Sequence, residues 1–564
     1  MKINIEKVPF SRRGAYLAIS KDPGHLGGGV WLRSLIRPEW GTGRKKVSDH
    51  LFRFIPFTAD GIFIDYEIEC LPWEMKLKSS FGSISCYFTS EDSLIIESDR
   101  IGMVIEHDHD ELAAVNRIVK SESFKAYFPI IHYNAEIKAL CGSIKYDRAL
   151  KRIYISPLDG KTVLCIKACR KDMDTVESTD TAYGEEYIGK IRRDYESFIS
   201  NYSIDNEHSE LAAYILWSTE YSIKGNIVRR CNGISKSLMN LVWSWDNCFN
   251  ALAVAGADAK LAWDNIFLFF DLQREDGMLP DAVNPAIVVD WFTKPPVHGF
   301  TIRKLLEQGY ALSAEDKKTL YHCLTKWTDW WYGQLTNEGL VKYRHPFDSG
   351  WDNATFFDYG YPIASPDLNA YLVIQQDVLA QLAKELGFAE EAQAWTTRAD
   401  LLLNNMIDKM WNGNKFVCIN DSGEIIPTNS LIRIMPVVLG KRLPEHIMKI
   451  LIDELSVENH FLTYRGVATE SVRSQSYDHR KGDPAKPNAY WRGPIWPPVV
   501  YLIVCGLREA GEFDLAAVIS HRYICTVEAN QGAMFENYDA LTGEGYDDSS
   551  YTWTSAVYLL FKNH

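Results

Sequence analysis

Near Thr179 the hydrophobic periodicity of this 564-residue chain changes, and no other feature limits its possible folds as much. Before that point, short apolar or alternating runs recur between Gly, Asp and Ser turns, at 61–68, 83–88, 93–98, 153–156 and 162–166. A side-chain period of two puts one face of each run on a core. Runs at this spacing predict an antiparallel β-sandwich-type domain over residues 1–178. Residues 187–202 read as an exposed connecting helix carrying Lys190, Arg192, Arg193 and Glu196, within a linker at 179–208. Beyond it, apolar residues recur every three or four positions over 211–224, 249–272, 314–334, 368–386, 389–410, 445–455, 495–510 and 515–527. That spacing predicts helices. Shared among twelve helices, residues 209–564 leave roughly 30 residues for each helix and its loop. A ring of six helical hairpins is one solution. A stack of helical repeats is another, although no fixed repeat period is visible.

A chain this long exceeds one ordinary core, so two or more domains are expected. Its 46% hydrophobic and 24% charged residues are those of a soluble globular protein. A net charge of −14 without a Lys/Arg cluster argues against nucleic acid or an anionic membrane as partner. The 11 Cys are odd in number and scattered, and Cys165 and Cys169 form the only close pair. With no second pair to complete a metal site, no metal and no cofactor are expected, and buried thiols in a reducing compartment fit best. The stretch Met1-Lys2-Ile3-Asn4-Ile5-Glu6-Lys7 lacks a signal-peptide core, and no apolar run is long enough to span a bilayer. The cytoplasm is the expected location.

The chemistry is concentrated after the periodicity change. Trp243-Ser244-Trp245-Asp246, Asp348-Ser349-Gly350-Trp351-Asp352-Asn353 and Phe535-Glu536-Asn537-Tyr538-Asp539 each set aromatic rings beside carboxylates. Indole planes cover the apolar faces of a pyranose, and carboxylates bind its hydroxyls and move protons. Breaking a glycosidic bond needs a proton donor at the leaving oxygen and a second carboxylate that attacks the sugar or activates water. Asp352 suits the donor, with Trp351 before it and Phe356 and Phe357 after it; the plainer alternative is a helix cap. Glu536 suits the base, and its plainer alternative is an acid on a surface loop. Asp358 competes with Asp352. Trp245 and Asp246, together with Gln273 and Asp276 in Gln273-Arg274-Glu275-Asp276-Gly277, are hydroxyl-binding or stacking candidates, against helix-entry packing and a plain Asp-Gly turn. Tyr490-Trp491-Arg492-Gly493-Pro494-Ile495-Trp496 makes a rigid aromatic corner in which Arg492 orients a carboxylate or binds a hydroxyl. His298, after Pro295-Pro296, is a candidate sugar contact or simply a loop residue.

In this order the segments resemble glycoside hydrolase family 63, that of processing α-glucosidase I and its bacterial relatives, with trehalases more distant. The resemblance covers about residues 205–564. It implies an (α/α)6 barrel catalytic domain, an N-terminal β-domain and hydrolysis with inversion at the anomeric carbon. Carried over by motif, Asp352 is the general acid and Glu536 the general base, while Trp245, Asp246, Gln273, Asp276, Trp351, Trp491, Arg492, Gly493 and Trp496 shape the pocket for a terminal glucose. Asp348 stands where many relatives carry Glu. Without the export signal and length of the eukaryotic members, the chain is expected to be a bacterial cytoplasmic α-glucosidase acting on a disaccharide or small glucoside. The rival readings are a disaccharide phosphorylase on the same barrel and a non-catalytic sugar-binding protein.

Overall fold

The computed structural model describes residues 1–22, 28–36, 49–58, 60–107, 117–120, 123–129, 131–147, 149–173, 182–334, 339–478 and 489–563. They divide into two compact units, Met1–Leu241 with Val283–Ile287, and Val242–Ala282 with Val288–His564.

Fourteen described strands of the first unit, from β1 (Leu17–Lys21) to β14 (Lys161–Arg170), form two antiparallel sheets. One has the order β1, β2 (Val30–Ser34), β3 (His50–Phe57), β8 (Gly102–His107), β13 (Arg152–Ser156), β12 (Ser143–Asp147); the other has the order β4 (Glu67–Leu71), β5 (Glu74–Lys78), β6 (Ser83–Phe88), β7 (Ser93–Asp99), β14, β11 (Tyr133–Cys141), β10 (Ser123–Phe128), β9 (Arg117–Lys120). The predicted alternation is visible in β11 (Tyr133–Cys141), whose residues are in turn buried and half-buried, whereas β14, central in its sheet, is buried along most of its length. Phe52 of one sheet meets Phe128 of the other edge-on at 5.5 Å, so apolar rings fill the space between them. The run 61–68 departs from expectation: only Glu67–Leu71 forms a strand there, and Ile62 and Phe63 are exposed. Helices α1 (Glu185–Ile199) and α2 (Glu207–Ser218) belong to this unit, as does the chain up to Leu241. The boundary between units therefore lies later than 209, where the helical pattern begins.

The second unit is helical. Its helices are α3 (Asp246–Val254), α4 (Ala259–Asp271), α5 (His298–Glu307), α6 (Ala314–Tyr332), the single turn α7 (Pro346–Ser349), α8 (Pro366–Glu385), α9 (Ala389–Met410), α10 (Glu445–Leu455), α11 (Pro497–Ala510), α12 (Phe513–Glu528) and α13 (Thr552–Lys562). Six segments form a closed cycle of neighbours: α3, α5, α8, the 3-10 stretch Met435–Arg442, α11 and α13, the last packing back on α3. A second set packs outside them, with α4 on α3, α9 on α8, α10 on the 3-10 stretch and α12 on α11. Burial follows this division. Every residue of α3 is buried, and nearly every one of α13, as befits helices with neighbours all round. α9 buries only Trp395, Ala399, Leu402, Leu403, Met406 and Met410, one stripe at helical spacing.

That contrast explains what the spacing left out. Helix α13 is not among the segments read from the spacing, and it is buried almost throughout. The expected helix 249–272 is broken at Ala255–Asp258, where the Asp258 side chain accepts from the Leu261 amide and caps a new helix. No helix of the described residues is long and apolar enough to cross a membrane.

Candidate active site

The acid-bearing motifs all lie at the ends of the cycle's helices or in the loops between them. Asp246 is the first residue of α3. Asp281 follows α4, and its carbonyl accepts from the Ser244 amide, which ties it to the Trp-Ser-Trp-Asp segment. Lys294 precedes α5. Asp352 follows α7, whose end is turned by Gly350 in the left-handed region; a β-carbon on Gly350 would lie 2.9 Å from the Trp245 ring, so the close approach of these two motifs requires glycine. Asp352 caps no helix: the next turn, Thr355–Tyr359, has Ala354 at its cap. Glu536 is not a surface acid. It is 2% exposed, and its backbone amide donates to the Asp548 carbonyl.

The turn holding Asp352 is gripped from the Tyr490–Gly493 corner. The Trp491 amide donates to Asn353 Oδ1 and Arg492 Nε donates to the Asn353 carbonyl, each at 2.8 Å. The Arg492 guanidinium also clasps the Asp358 carboxylate, Nη1 to Oδ2 at 2.9 Å. Arg492 therefore orients the loop, and Asp358, the competing acid, is its partner. Thr355 Oγ1 donates to Glu470 at 2.9 Å from the other side.

Behind the acids stands a continuous wall of indoles. Trp491 and Trp496 stack at 3.8 Å and 8°, Trp351 lies 5.0 Å from Trp491, and Trp245 lies 6.0 Å from Trp491 and 5.8 Å from Trp553. All five are buried. They form a rigid lining rather than an open stacking platform. Gly493 also serves packing, since a β-carbon there would meet the Asp478 carbonyl at 2.5 Å.

The charged groups form a linked circuit. The Tyr490 hydroxyl donates to Glu536 Oε1 at 3.0 Å, and Trp553 Nε1 donates to the Glu536 carbonyl at 2.8 Å. Burial, Glu536 and Asp352 together raise the Tyr490 pKa well above that of a free tyrosine, so both candidate catalytic acids act on this one hydroxyl. Lys294 Nζ lies 3.9 Å from Asp352 Oδ1, 3.3 Å from Asp281 Oδ1 and 3.0 Å from the Phe347 carbonyl. Asp246 completes the circuit, interacting with Lys294 and Asp281 on one side and with Tyr551 and Glu536 on the other.

Desolvation dominates the electrostatics. Burial pushes Asp246 up to about 8 and Asp281 up to about 6, in each case against the lowering pull of Lys294. The Asp352 carboxyl is raised by burial and opposed by Lys294. Its side chain keeps 27% of its surface open, while Oδ1 is sealed without a hydrogen-bond partner. Glu536 is raised well above the carboxylate range by burial and then by Asp547 and Asp548, against the Tyr490 hydrogen bond. For Lys294, burial opposes the charge, but Asp281, Asp352 and Asp246 outweigh it and hold the ammonium protonated.

Three predicted contacts fall outside this circuit. Gln273 donates to the Gly277 and Cys323 carbonyls, at 2.8 and 3.0 Å, and so braces its turn. Asp276 is exposed and paired with Arg274 at 3.2 Å, the plain Asp-Gly turn of the alternative reading. His298 is fully buried against the rings of Phe270 and Trp327, and burial alone pushes its imidazole down to about 3. Three members of the circuit lie outside every quoted motif, Asp281, Lys294 and Tyr551, and Tyr490 stood in the Tyr490–Trp496 corner without a role of its own. Asp281 lies one residue beyond Leu279-Pro280, and Lys294 is a lone cation beside Pro295-Pro296. A charged residue in an apolar, proline-rich stretch is the signal that marks it.

A model of the mannosylglycerate hydrolase MGH1-like glycoside hydrolase domain matches residues 239–554, more than half of the chain. A mannosylglycerate hydrolase of Rubrobacter radiotolerans is 25% identical over 413 residues, covering 56% of this chain and 89% of that one. The crystal structure of a family 63 mannosylglycerate hydrolase from Thermus thermophilus, in complex with glucose, superposes with a TM-score of 0.53 at 21% identity, over 64% of this chain and 100% of that one. A bacterial glucoamylase complexed with acarbose shares the fold over 99% of this chain and 93% of its own, with a TM-score of 0.60 at 12% identity.

Proposed function

The chain belongs to the mannosylglycerate hydrolase MGH1-like family of glycoside hydrolases, within family 63, and on that premise we propose that it is an inverting, exo-acting α-glycosidase whose substrate is a hexose α-linked to glycerate or a similarly small polar aglycone. In this reading the closed cycle of helices is the inner ring of an (α/α)6 barrel, and the acid circuit lies at one end of its axis. Asp352 protonates the leaving oxygen and Glu536 takes a proton from water on the opposite face of the sugar. The pocket should hold the two carboxyl groups roughly 6.5–9.5 Å apart, leaving room for that water. Asp246 and Asp281 bind hydroxyls of the terminal hexose.

One observation carries the proposal: a single corner, Tyr490–Arg492, holds both acids' segments, the Tyr490 hydroxyl donating to Glu536 Oε1 at 3.0 Å while the Trp491 amide and Arg492 Nε donate to Asn353, the residue after Asp352, at 2.8 Å. The glycerate aglycone follows from the substrate named for the Rubrobacter and Thermus relatives. Their mannosyl group sits beside the sequence-based expectation of glucose, so the terminal hexose is one of these two. The phosphorylase alternative fares worse on electrostatic grounds. A phosphate beside Glu536 would face Asp547, Asp548 and Asp246.

The test is proton NMR of reactions with α-mannosyl-glycerate, α-glucosyl-glycerate and a panel of α-linked disaccharides, with and without inorganic phosphate. The β-anomer of free mannose or glucose should appear first, from a glycerate-type substrate and without need of phosphate. First appearance of the α-anomer would mean a retaining double displacement. A requirement for phosphate would establish the phosphorylase, and no turnover of any member would defeat the hydrolase reading.

A further inference from the structure

Lys294 is the only cation paired with Asp352 among the described residues. Its side chain is 8% exposed. Nζ lies between Asp281 Oδ1 at 3.3 Å and Asp352 Oδ1 at 3.9 Å, and donates to the Phe347 carbonyl at 3.0 Å. Asp281 is 1% exposed and fixed by its own backbone, its amide donating to Val289 and its carbonyl accepting from Ser244. A buried ammonium needs a carboxylate, and a buried carboxylate needs a cation. Two carboxylates on one ammonium therefore share its charge.

We propose that Lys294 and Asp281 form a positioning pair for Asp352: the ammonium holds and electrostatically tunes the Asp352 carboxyl, and Asp281 sets how much of that charge Asp352 receives. The role as a proton donor rests on the function proposed above, but the sharing of charge does not. The other titratable groups that face this pair are Asp246, Asp348, Tyr490 and His345, the last beside Lys294 just ahead of α7. Asp246, at the start of α3, acts on both Lys294 and Asp281. Asp348, in α7, acts on Asp281 and is itself held by Arg344 at 3.1 Å. Tyr490 faces Asp352 and leads on to Glu536. None of them adds a second positive charge at Asp352.

The sharing predicts opposite effects from two neutral substitutions. In Lys294→Met the cation is lost, the ionised form of Asp352 loses its stabilisation, and its pKa rises. In Asp281→Asn the closest competing carboxylate is lost, only Asp246 still shares the ammonium with Asp352, and the pKa falls. An opposite charge at this range is worth about 1 pH unit or more. A residue that merely filled space would move the two variants alike.

The measurement is infrared difference titration of the protonated carboxyl band of Asp352, identified by its absence in Asp352→Asn and read in the intact, substrate-free protein. Wild type, Lys294→Met, Asp281→Asn and the double variant are compared. The double variant replaces the ion pair with a neutral pair, and keeps the comparison possible if Lys294→Met alone does not fold. The expected midpoints are raised by about 1 pH unit or more in Lys294→Met and lowered in Asp281→Asn. If Lys294→Met is not folded, a double variant titrating above Asp281→Asn carries the same result. Shifts of the same sign, or none, overturn the inference. Because no substrate is present, that failure is separate from failure to hydrolyse a glycerate glycoside.

Discussion

Asp352 and Glu536 are both acids that burial drives toward the neutral form, yet their surroundings carry opposite charge. Asp352 has an ammonium within 3.9 Å. Glu536 has Asp547, Asp548 and Asp246 for neighbours and one tyrosine hydroxyl as its donor. A cation beside a carboxyl makes it a stronger proton donor, and anions beside a carboxylate make it a stronger proton acceptor. The asymmetry therefore favours efficient transfer at each end and reduces the fraction of molecules that hold the proton on Asp352 rather than on Glu536. Fixed charges, rather than the identity of the residue as Asp or Glu, are what would separate the two proposed roles.

The largest test removes the acids themselves. Asp352→Asn and Glu536→Gln should each lower kcat by about 10²–10⁴-fold while unfolding as the wild type does, measured by sugar release and thermal denaturation. Substantial turnover in either would remove that residue from its role. On the Asp352 side, Arg492→Lys replaces a planar fork by a point charge and lets the turn at Asn353 and Asp358 drift. The expected loss is about 10–100-fold in kcat/KM, measured by initial rates, and an unchanged value would mean that the grip is ornamental.

On the Glu536 side, Tyr490→Phe deletes the hydroxyl that donates to Oε1. The ionised carboxylate loses that support, so the Glu536 pKa rises further. A charge-assisted hydrogen bond corresponds to about 1–2 pH units. With Asp547 and Asp548 already raising Glu536, it should control the alkaline limb of the kcat/KM profile. That limb should move up while the acidic limb stays. Movement of the acidic limb instead would show that the neighbourhoods do not divide as described. The smallest effect belongs to Asp276→Asn, exposed, paired with Arg274 and accepting from the Met278 amide through an oxygen that Asn keeps; it should change rate and stability by less than about 0.5 kcal/mol.

Much of the architecture is legible in the chain. Period two marks the strands at 83–88, 93–99, 152–156 and 161–170, and three-to-four spacing marks α6, α8, α9, α10, α11 and α12. The strands between 102 and 147, helix α13 and the break between α3 and α4 are not read from it. In the site, the Trp-Asp and Phe-Glu motifs led to Asp246, Asp352 and Glu536, which share one charged circuit. Gln273 and Asp276 were singled out by motif and by the family resemblance, and His298 by its place after Pro295-Pro296; the contacts of all three lie outside the circuit.

By itself, then, the sequence determined a β-rich segment followed by a helical one, and it determined which acids sit among indoles, since periodicity and local composition are properties of neighbouring residues. It did not determine which charges meet. That Lys294 faces Asp281 and Asp352, that Tyr490 reaches Glu536, and that His298 points into apolar rings depend on how loops from different helices converge. Electrostatic coupling acts over a few ångströms of space, and distance along the chain carries no record of it.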